Sequence, residues 1–354
     1  MPAKAAIQSG IVPQAEAEAD QFYIRARAPL TRARRTLKHD DTFLVLDSHG
    51  DIGATAGEAD GLFDHDTRYL ARLELSIGDA TPLLLGFNMR DDNLVYTVDL
   101  TNPDVYKNNR VVFEKSTLHI VRTTFLWQST AYQRLAITNQ GDRGIAVRLA
   151  LGFGNDFADL FEVRGLTRER RGKTSVGVGT DTVSLSYHGL DDVTRSTTLC
   201  FEPSPTRLTE SLAEYHLMLA PKQRIPIFLC IQCSRGQPAP PLHFFKAMIE
   251  AQHQLKHATR HIATVTTSND VFNEVLCRAA SDLYMLMTDT PQGPYPYAGI
   301  PWYSTTFGRD GIITAIEMLW FDPGVARGVL RRLAATQATV DDPANDARPG
   351  KIVH

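Results

Sequence analysis

The sequence predicts a large antiparallel β-sandwich that leads through a linking helix into a helical domain. Three observations carry this. From Thr36 to about Pro240, short apolar runs recur at turn spacing with no helical period between them. After Pro240 the apolar spacing becomes helical. The 354 residues, 43% hydrophobic and 22% charged, supply apolar material for two ordinary globular domains.

The elements follow in order. Residues 1–36 are small, charged and aperiodic, run into the basic stretch "RARRTLKH", and are expected to be a mobile arm. Such an arm can touch phosphate, but a solvated tail is the simpler reading. The sandwich is expected over 37–240. "DTFLVLDSHGDIG" runs apolar residues into the turn formers Ser48, His49, Gly50 and Asp51. "RYLARLELSIGD" alternates, with Leu73, Leu75 and Ile77 on one face. "AYQRLAITNQGDRGIAVRLALGF" reads as two strands around a turn at Asn139 to Asp142. "SVGVGTDTVSLSYHG", "STTLCFEP" and "EYHLMLAPKQRIPIFLCIQC" continue in that style. About 200 residues exceed a compact seven-stranded sandwich, so an extended, many-stranded one is expected.

A linking helix is expected over 241–265, and the first helices of a further domain over 266–354. Val271, Val275, Leu276, Ala279, Leu283 and Leu286 recur at helical spacing, with Ser268 or Asn269 as N-cap. Ile312, Ile313, Ile316, Leu319 and Trp320 line one side of the next helix. Asp322 and Pro323 then open another as N-cap and first helical residue.

Charge and motifs exclude several classes. A net charge of -3 gives no electrostatic pointer to nucleic acid or membrane. The N-terminal residues lack a signal-peptide core, and no run of about 18 apolar residues suits a membrane span. Four cysteines in this length make no disulfide framework, and a reducing cytoplasm is the simplest compartment. Cys230 and Cys233 form a C-x-x-C inside a strand-like run, where alternation sends them to opposite faces, so they do not converge on a metal. His253, His257 and His261 fall at i, i+4 and i+8, yet with no acidic or thiolate ligand a solvated stripe is the better reading. Asp64, His65, Asp66 and Arg68 read as a charge-paired turn. Asp156, Asp159, Glu162 and Arg164 read as a salt-bridged corner where the sandwich meets the helices. No phosphate loop, Ser-His-Asp signature or dinucleotide fingerprint occurs, so no cofactor and no metal are expected.

The richest segment is "PQGPYPYAGIPWYSTTFGRDGIITA". It reads as a loop joining two helices, with Tyr295, Tyr297, Trp302, Tyr303 and Phe307 as an aromatic wall. Arg309 and Asp310 fall in the first turn of the following helix. Aromatic faces stack on sugar rings, and Arg and Asp bond vicinal hydroxyls, which suits a carbohydrate pocket. The same residues could instead plug a helical bundle, with Asp310 complementing the helix N-terminus. On composition both readings stay open.

"AGIPWYSTTFGRDGIITA" resembles the entry motif of the (α/α)6-barrel domain in the amylo-α-1,6-glucosidase, or glycogen-debranching-enzyme-like, family. "TFLVLDSHGDI", "GLFDHDTRYLARLEL" and "GNDFADLFEVRG" resemble its bacterial N-terminal β domain. The likeness runs from about Lys38 to His354. It implies a β-supersandwich packed on a helical toroid, and hydrolysis of α-glycosidic bonds in an α-glucan or other glycoside. It also implies substrate binding by Trp302, Phe307, Arg309 and Asp310, with both catalytic carboxyls beyond His354. The tail "PGKIVH" resembles a family stretch in which an acidic residue follows the His, and here the given sequence closes on His354. An (α/α)6 barrel takes twelve helices against about three here, so the expectation is a fragment, inactive alone. Such a fragment leaves Val275, Leu283, Ile313, Ile316 and Leu330 short of neighbours and open to self-association. The alternative is a non-catalytic carbohydrate-binding or scaffolding module.

Overall fold

All five residues of strand β2 (Thr42–Leu46) are buried, so its alternation feeds two cores rather than a core and water. Leu44 and Leu46 enter one apolar cluster, and Phe43 and Val45 enter another. The strand belongs to an antiparallel sheet ordered β1 (Arg35–His39), β2, β3 (Gly61–Asp64), β4 (Thr67–Leu70). The computed structural model describes residues 33–53, 59–107, 110–236, 240–343 and 346–353. The arm expected at the N-terminus lies outside them up to residue 32, as does His354, while Arg35 and Thr36 stand in β1.

An eight-stranded antiparallel sheet makes one layer of the sandwich. Its order is β13 (Lys173–Val178), β14 (Thr182–His188), β15 (Thr194–Glu202), β18 (Arg224–Arg235), β11 (Thr130–Asn139), β10 (Leu118–Trp127), β7 (Tyr96–Thr101), β6 (Leu83–Met89). A further four-stranded sheet is ordered β16 (Arg207–Leu208), β17 (Leu212–Leu219), β12 (Ile145–Gly154), β5 (Arg72–Ile77). Backbone bonds from Ala71 N to Gly154 O and from Ile52 N to Leu73 O, both 2.9 Å, tie the two four-stranded sheets together. The main core takes Leu44 and Tyr69 from the first of these, Leu75, Leu149 and Tyr215 from the second, and Val98, Leu135 and Leu229 from the long sheet. The two short sheets therefore form the second layer. Small hairpins β8 (Val105–Lys107) with β9 (Arg110–Phe113) and β19 (Met287–Thr290) with β20 (Gly293–Pro296) complete the strands.

The two strands read around the Asn139–Asp142 turn are present as β11 and β12. β11 and β12 flank the Asn139–Asp142 turn but do not pair with each other, since each lies in a different layer. Asn139 explains the crossing. It is fully buried, its Nδ2 donates to Arg143 O at 2.8 Å and Leu219 O at 3.2 Å, and its Oδ1 accepts from Gly141 N at 2.9 Å. The side chain satisfies backbone groups that a hairpin would have paired.

Helices cover the outer faces. The short α1 (Leu160–Val163) starts with a capping box, Asp159 accepting from Glu162 N and Glu162 from Asp159 N, and lays Leu160 and Val163 on Phe43 and Phe63. The linking helix α2 (Phe244–Thr259) sets Phe244, Ala247 and Ala251 on Phe125, Trp127 and Tyr132 of the long sheet. Beyond it come α3 (Asp270–Leu286), α4 (Gly308–Glu317) and α5 (Pro323–Ala335). Asn269 caps α3 through Phe272 N at 3.1 Å, and Asp322 caps α5 through Gly324 N at 2.8 Å, with Pro323 at the first helical position. These helices gather around Tyr295, Ala315, Met318, Val325, Val329 and Leu333. Their long apolar residues mostly face outward: Val275 is 58% exposed, Ile313 50%, Ile316 62% and Leu330 65%, while Leu283 packs on the cluster. Among the described residues no helix is long and apolar enough to cross a membrane.

Candidate functional site

The segment ahead of α4 is more structured than a loop. Its first part is the β19–β20 hairpin, which the aperiodic run of Gly and Pro concealed. Tyr295 on β20 is fully buried and its hydroxyl donates to the Phe307 carbonyl at 2.7 Å. Gly299 and Tyr303 exchange backbone bonds of 3.3 and 2.9 Å around Pro301 and Trp302. At α4 the glycines allow close approach. A methyl group on Gly308 would overlap the Val353 carbonyl oxygen, and one on Gly311 would overlap the Tyr295 hydroxyl. The terminal residues thus return to the start of α4. Ala338 N donating to Lys351 O and Gly350 N donating to Ala338 O, both at 2.8 Å, hold them there.

Among the residues read from sequence, Phe307, Arg309 and Asp310 share the exposed start of α4. Phe307 is its N-cap residue and offers no side-chain cap, and its ring meets Tyr303 edge-on at 5.9 Å. The Arg309 and Asp310 side chains are 66% and 44% exposed, with 3.9 Å between Nε and Oδ2. That contact is long for an ion pair and leaves their hydrogen-bonding capacity largely unspent. Trp302 turns elsewhere. It packs against the cluster of Phe43 and Phe63, and the Arg164 guanidinium stands 5.2 Å above its ring.

Tyr297 also leaves the aromatic wall. Its hydroxyl donates to Asp41 at 2.7 Å, and the Lys38 ammonium lies 5.0 Å over its ring. Lys38 Nζ donates to Met287 O at 2.9 Å and Thr288 Oγ1 at 2.6 Å, docking the β1–β2 turn onto the β19–β20 hairpin. Burial lowers this ammonium from 10.5 to about 8, against the pull of Asp40, Asp41 and Asp289. Burial, with Asp41 adding to it, raises the Tyr297 phenol. Lys38, Asp41 and Thr288 carried no sequence signal, because residues about 250 positions apart meet only through the fold.

The acidic clusters are tied into hydrogen bonds and ion pairs. Thr42 donates to Asp64 at 2.6 Å and His65 lies 3.2 Å from it. Burial works to raise the Asp64 carboxyl, yet His65 and Thr42 hold it below its ordinary range. Arg68 Nε donates to Asp156 at 3.1 Å, closing the corner that carries α1. The histidine stripe does not form a helical face, since α2 ends at Thr259 and His261 follows the C-cap Arg260. Among the described residues no three His, Cys, Asp or Glu side chains are grouped to hold a metal.

Residues 37–230, which span the sandwich, match the family model described as the N-terminal domain of (some) glycogen debranching enzymes. The chain belongs to this family. Among curated proteins none matches the chain. Two solved structures are similar to this debranching-family chain. A candidate kojibiose phosphorylase from the human microbiome is 10% identical with a TM-score of 0.58, over 85% of this chain and 46% of its own. A bacterial glucoamylase complexed with acarbose is 10% identical with a TM-score of 0.45, over 86% of this chain and 54% of its own. The chain spans about half the length of the first. Coverage of 85% cannot be met by residues 1–240 alone, so that likeness of fold runs past the sandwich into the helices. The fold class is the expected one: a large antiparallel sandwich, a linking helix, then helices.

Proposed function

We propose that the chain is the N-terminal portion of a glycoside hydrolase of the amylo-α-1,6-glucosidase type, acting on α-glucosidic bonds, with α3 to α5 beginning its (α/α)6 domain. The observation that carries this reading is the open start of α4. Asp159 and Asp322, at other helix starts, are committed to caps, whereas Asp310 and Arg309 face outward beside Tyr303 and Phe307. Charged groups with unspent hydrogen bonds next to aromatic edges suit sugar hydroxyls. Family membership over 37–230 supports the same substrate class.

Hydrolysis takes two carboxyl groups, roughly 6.5 to 9.5 Å apart for inversion. Tyr303, Phe307, Arg309 and Asp310 carry one between them. Asp310 is therefore assigned to hydroxyl binding, and this chain by itself is expected not to turn over. Incubation with α-1,6-branched dextrins and maltooligosaccharides should release no glucose, and calorimetric titration should detect binding that Asp310→Ala weakens roughly tenfold to a hundredfold, the value of about 1.5 to 3 kcal/mol for a charged hydrogen bond. Turnover abolished by Asp310→Asn would show that the machinery is present after all. Binding indifferent to Asp310→Ala would remove that residue from the site and favour a non-catalytic module.

A further inference from the structure

The C-x-x-C pair does separate as alternation requires: Cys233 is buried in the main core, while Cys230 faces the outer cluster under α2. Strand pairing gives Cys230 a different neighbour. In the β15–β18 register Cys200 stands directly opposite Cys230. Both lie on the outer face, because Leu199, Phe201, Leu229 and Ile231 occupy the inner one. Gly236 N donates to Thr194 O, and Cys233 N donates to Ser129 O on the other side. Even-numbered residues of β18 therefore turn their backbone groups toward β15, and Cys200 and Cys230 form a hydrogen-bonded pair, whose Cα atoms typically stand ~5.5 Å apart. That separation falls inside the roughly 4.4 to 6.8 Å a disulfide spans, and closure draws the Cβ atoms in from the roughly 4.5 to 5.5 Å of such a pair to the roughly 3.5 to 4.5 Å of the bridge.

The pair is also reachable. Both cysteines are only partly buried, and both line a cavity of about 590 Å³ with Phe228, Glu202 and His243, the last two 3.6 Å apart. We propose that Cys200 and Cys230 are a cross-strand dithiol that closes to a disulfide by exchange with a small-molecule disulfide entering this cavity. One cysteine thiolate attacks the incoming disulfide and releases one small thiol. The other cysteine thiolate then attacks the mixed-disulfide sulfur and releases the second. Two protein thiols are oxidised, one external disulfide is reduced to two thiols, and the thiol protons pass to solvent and the leaving thiolates. Burial pushes the Cys230 thiol up to about 12, with Cys200 adding to it, and raises Cys200 as well. Exchange is accordingly slow at neutral pH and quickens in alkali as the thiolate fraction grows.

The test uses the full chain and oxidised glutathione at about pH 9, followed by alkylation and peptide mapping. The expected product is a linked Cys200–Cys230 peptide that dithiothreitol reverses, with Cys277 unlinked to either and Cys233 unmodified. Cys200→Ser should leave Cys230 free or as a mixed disulfide with glutathione. Separate glutathione adducts on Cys200 and Cys230 without a linked peptide in the unsubstituted chain would overturn the proposal. So would both thiols staying reduced while Cys277 reacts, or a Cys230–Cys233 link.

Discussion

Gly311→Ala sets helix propensity against packing at the candidate site, and the two predict opposite signs. Within a helix, alanine outranks glycine by about 0.8 to 1 kcal/mol, so propensity alone makes this variant more stable. The structure says otherwise. The new methyl group would overlap the Tyr295 hydroxyl and sit 2.7 Å from its Cζ and 3.1 Å from its Cε1. Tyr295 cannot swing aside, because it is fully buried among Ala315, Val325 and Val329 and its hydroxyl is held by the Phe307 carbonyl. Overpacking of this kind costs roughly 1 to 3 kcal/mol, and loss of the hydrogen bond adds about 1. The net expectation is a destabilisation of about 1 to 3 kcal/mol. Tyr295→Phe alone should cost about 1 to 1.5 kcal/mol and remove the nearest obstructing atom. In that background Gly311→Ala should then cost less, giving a coupling of about 1 kcal/mol between two residues in contact. Urea unfolding of the four proteins measures it. A Gly311→Ala chain that unfolds at higher urea than the unsubstituted one, or costs that simply add, would refute the packing argument.

Trp302→Ala should lower the unfolding midpoint, since Trp302 joins the loop to Phe43, Phe63 and Arg164; an unchanged midpoint in thermal melts would mean that this contact carries no stability. The outward Val275, Ile313, Ile316 and Leu330 should make the chain associate, and a version ended near Pro240 should be more monomeric. Light scattering that finds the whole chain a clean monomer would contradict this. For Lys38 the unfolded chain holds its proton to higher pH than the folded chain does, so this residue's contribution to stability rises from about pH 8 to about pH 10.5, by at most ~3 kcal/mol. Lys38→Met should remove that rise, and a stability difference between the two proteins that stays constant from about pH 7.5 to 9.5 would sink the assignment.

Periodicity made the two architectures legible because it reports burial. Leu73, Leu75 and Ile77 face the core as alternation requires, and Asn269, Asp322 and Pro323 start their helices as their chemistry requires. Pairing was not legible in the same way. β11 and β12 read as two strands around a turn, and the sheet orders, with the long-range bonds of the Asn139 amide to Leu219 and Ala220, show that the chain changes layers there. At the site the residue types were readable but not their directions. Trp302, Tyr303 and Phe307 are equally aromatic, yet Trp302 turns to the sandwich, while Tyr303 and Phe307 meet edge-on near the start of α4.

The same limit explains the cysteines. Spacing along one strand decides only that Cys230 and Cys233 part company. Which thiol stands opposite Cys230 is decided by the register of β15 against β18, two strands separated in sequence by β16 and β17 of the other layer. Register depends on which faces are buried along whole strands, here Leu199 and Phe201 against Leu229 and Ile231, and that is a property of the assembled sandwich. Chemistry that needs two side chains from different strands is therefore invisible to local motifs. The same reasoning applies to the docking of Lys38 on Tyr297 and Thr288 and to the return of Val353 to Gly308.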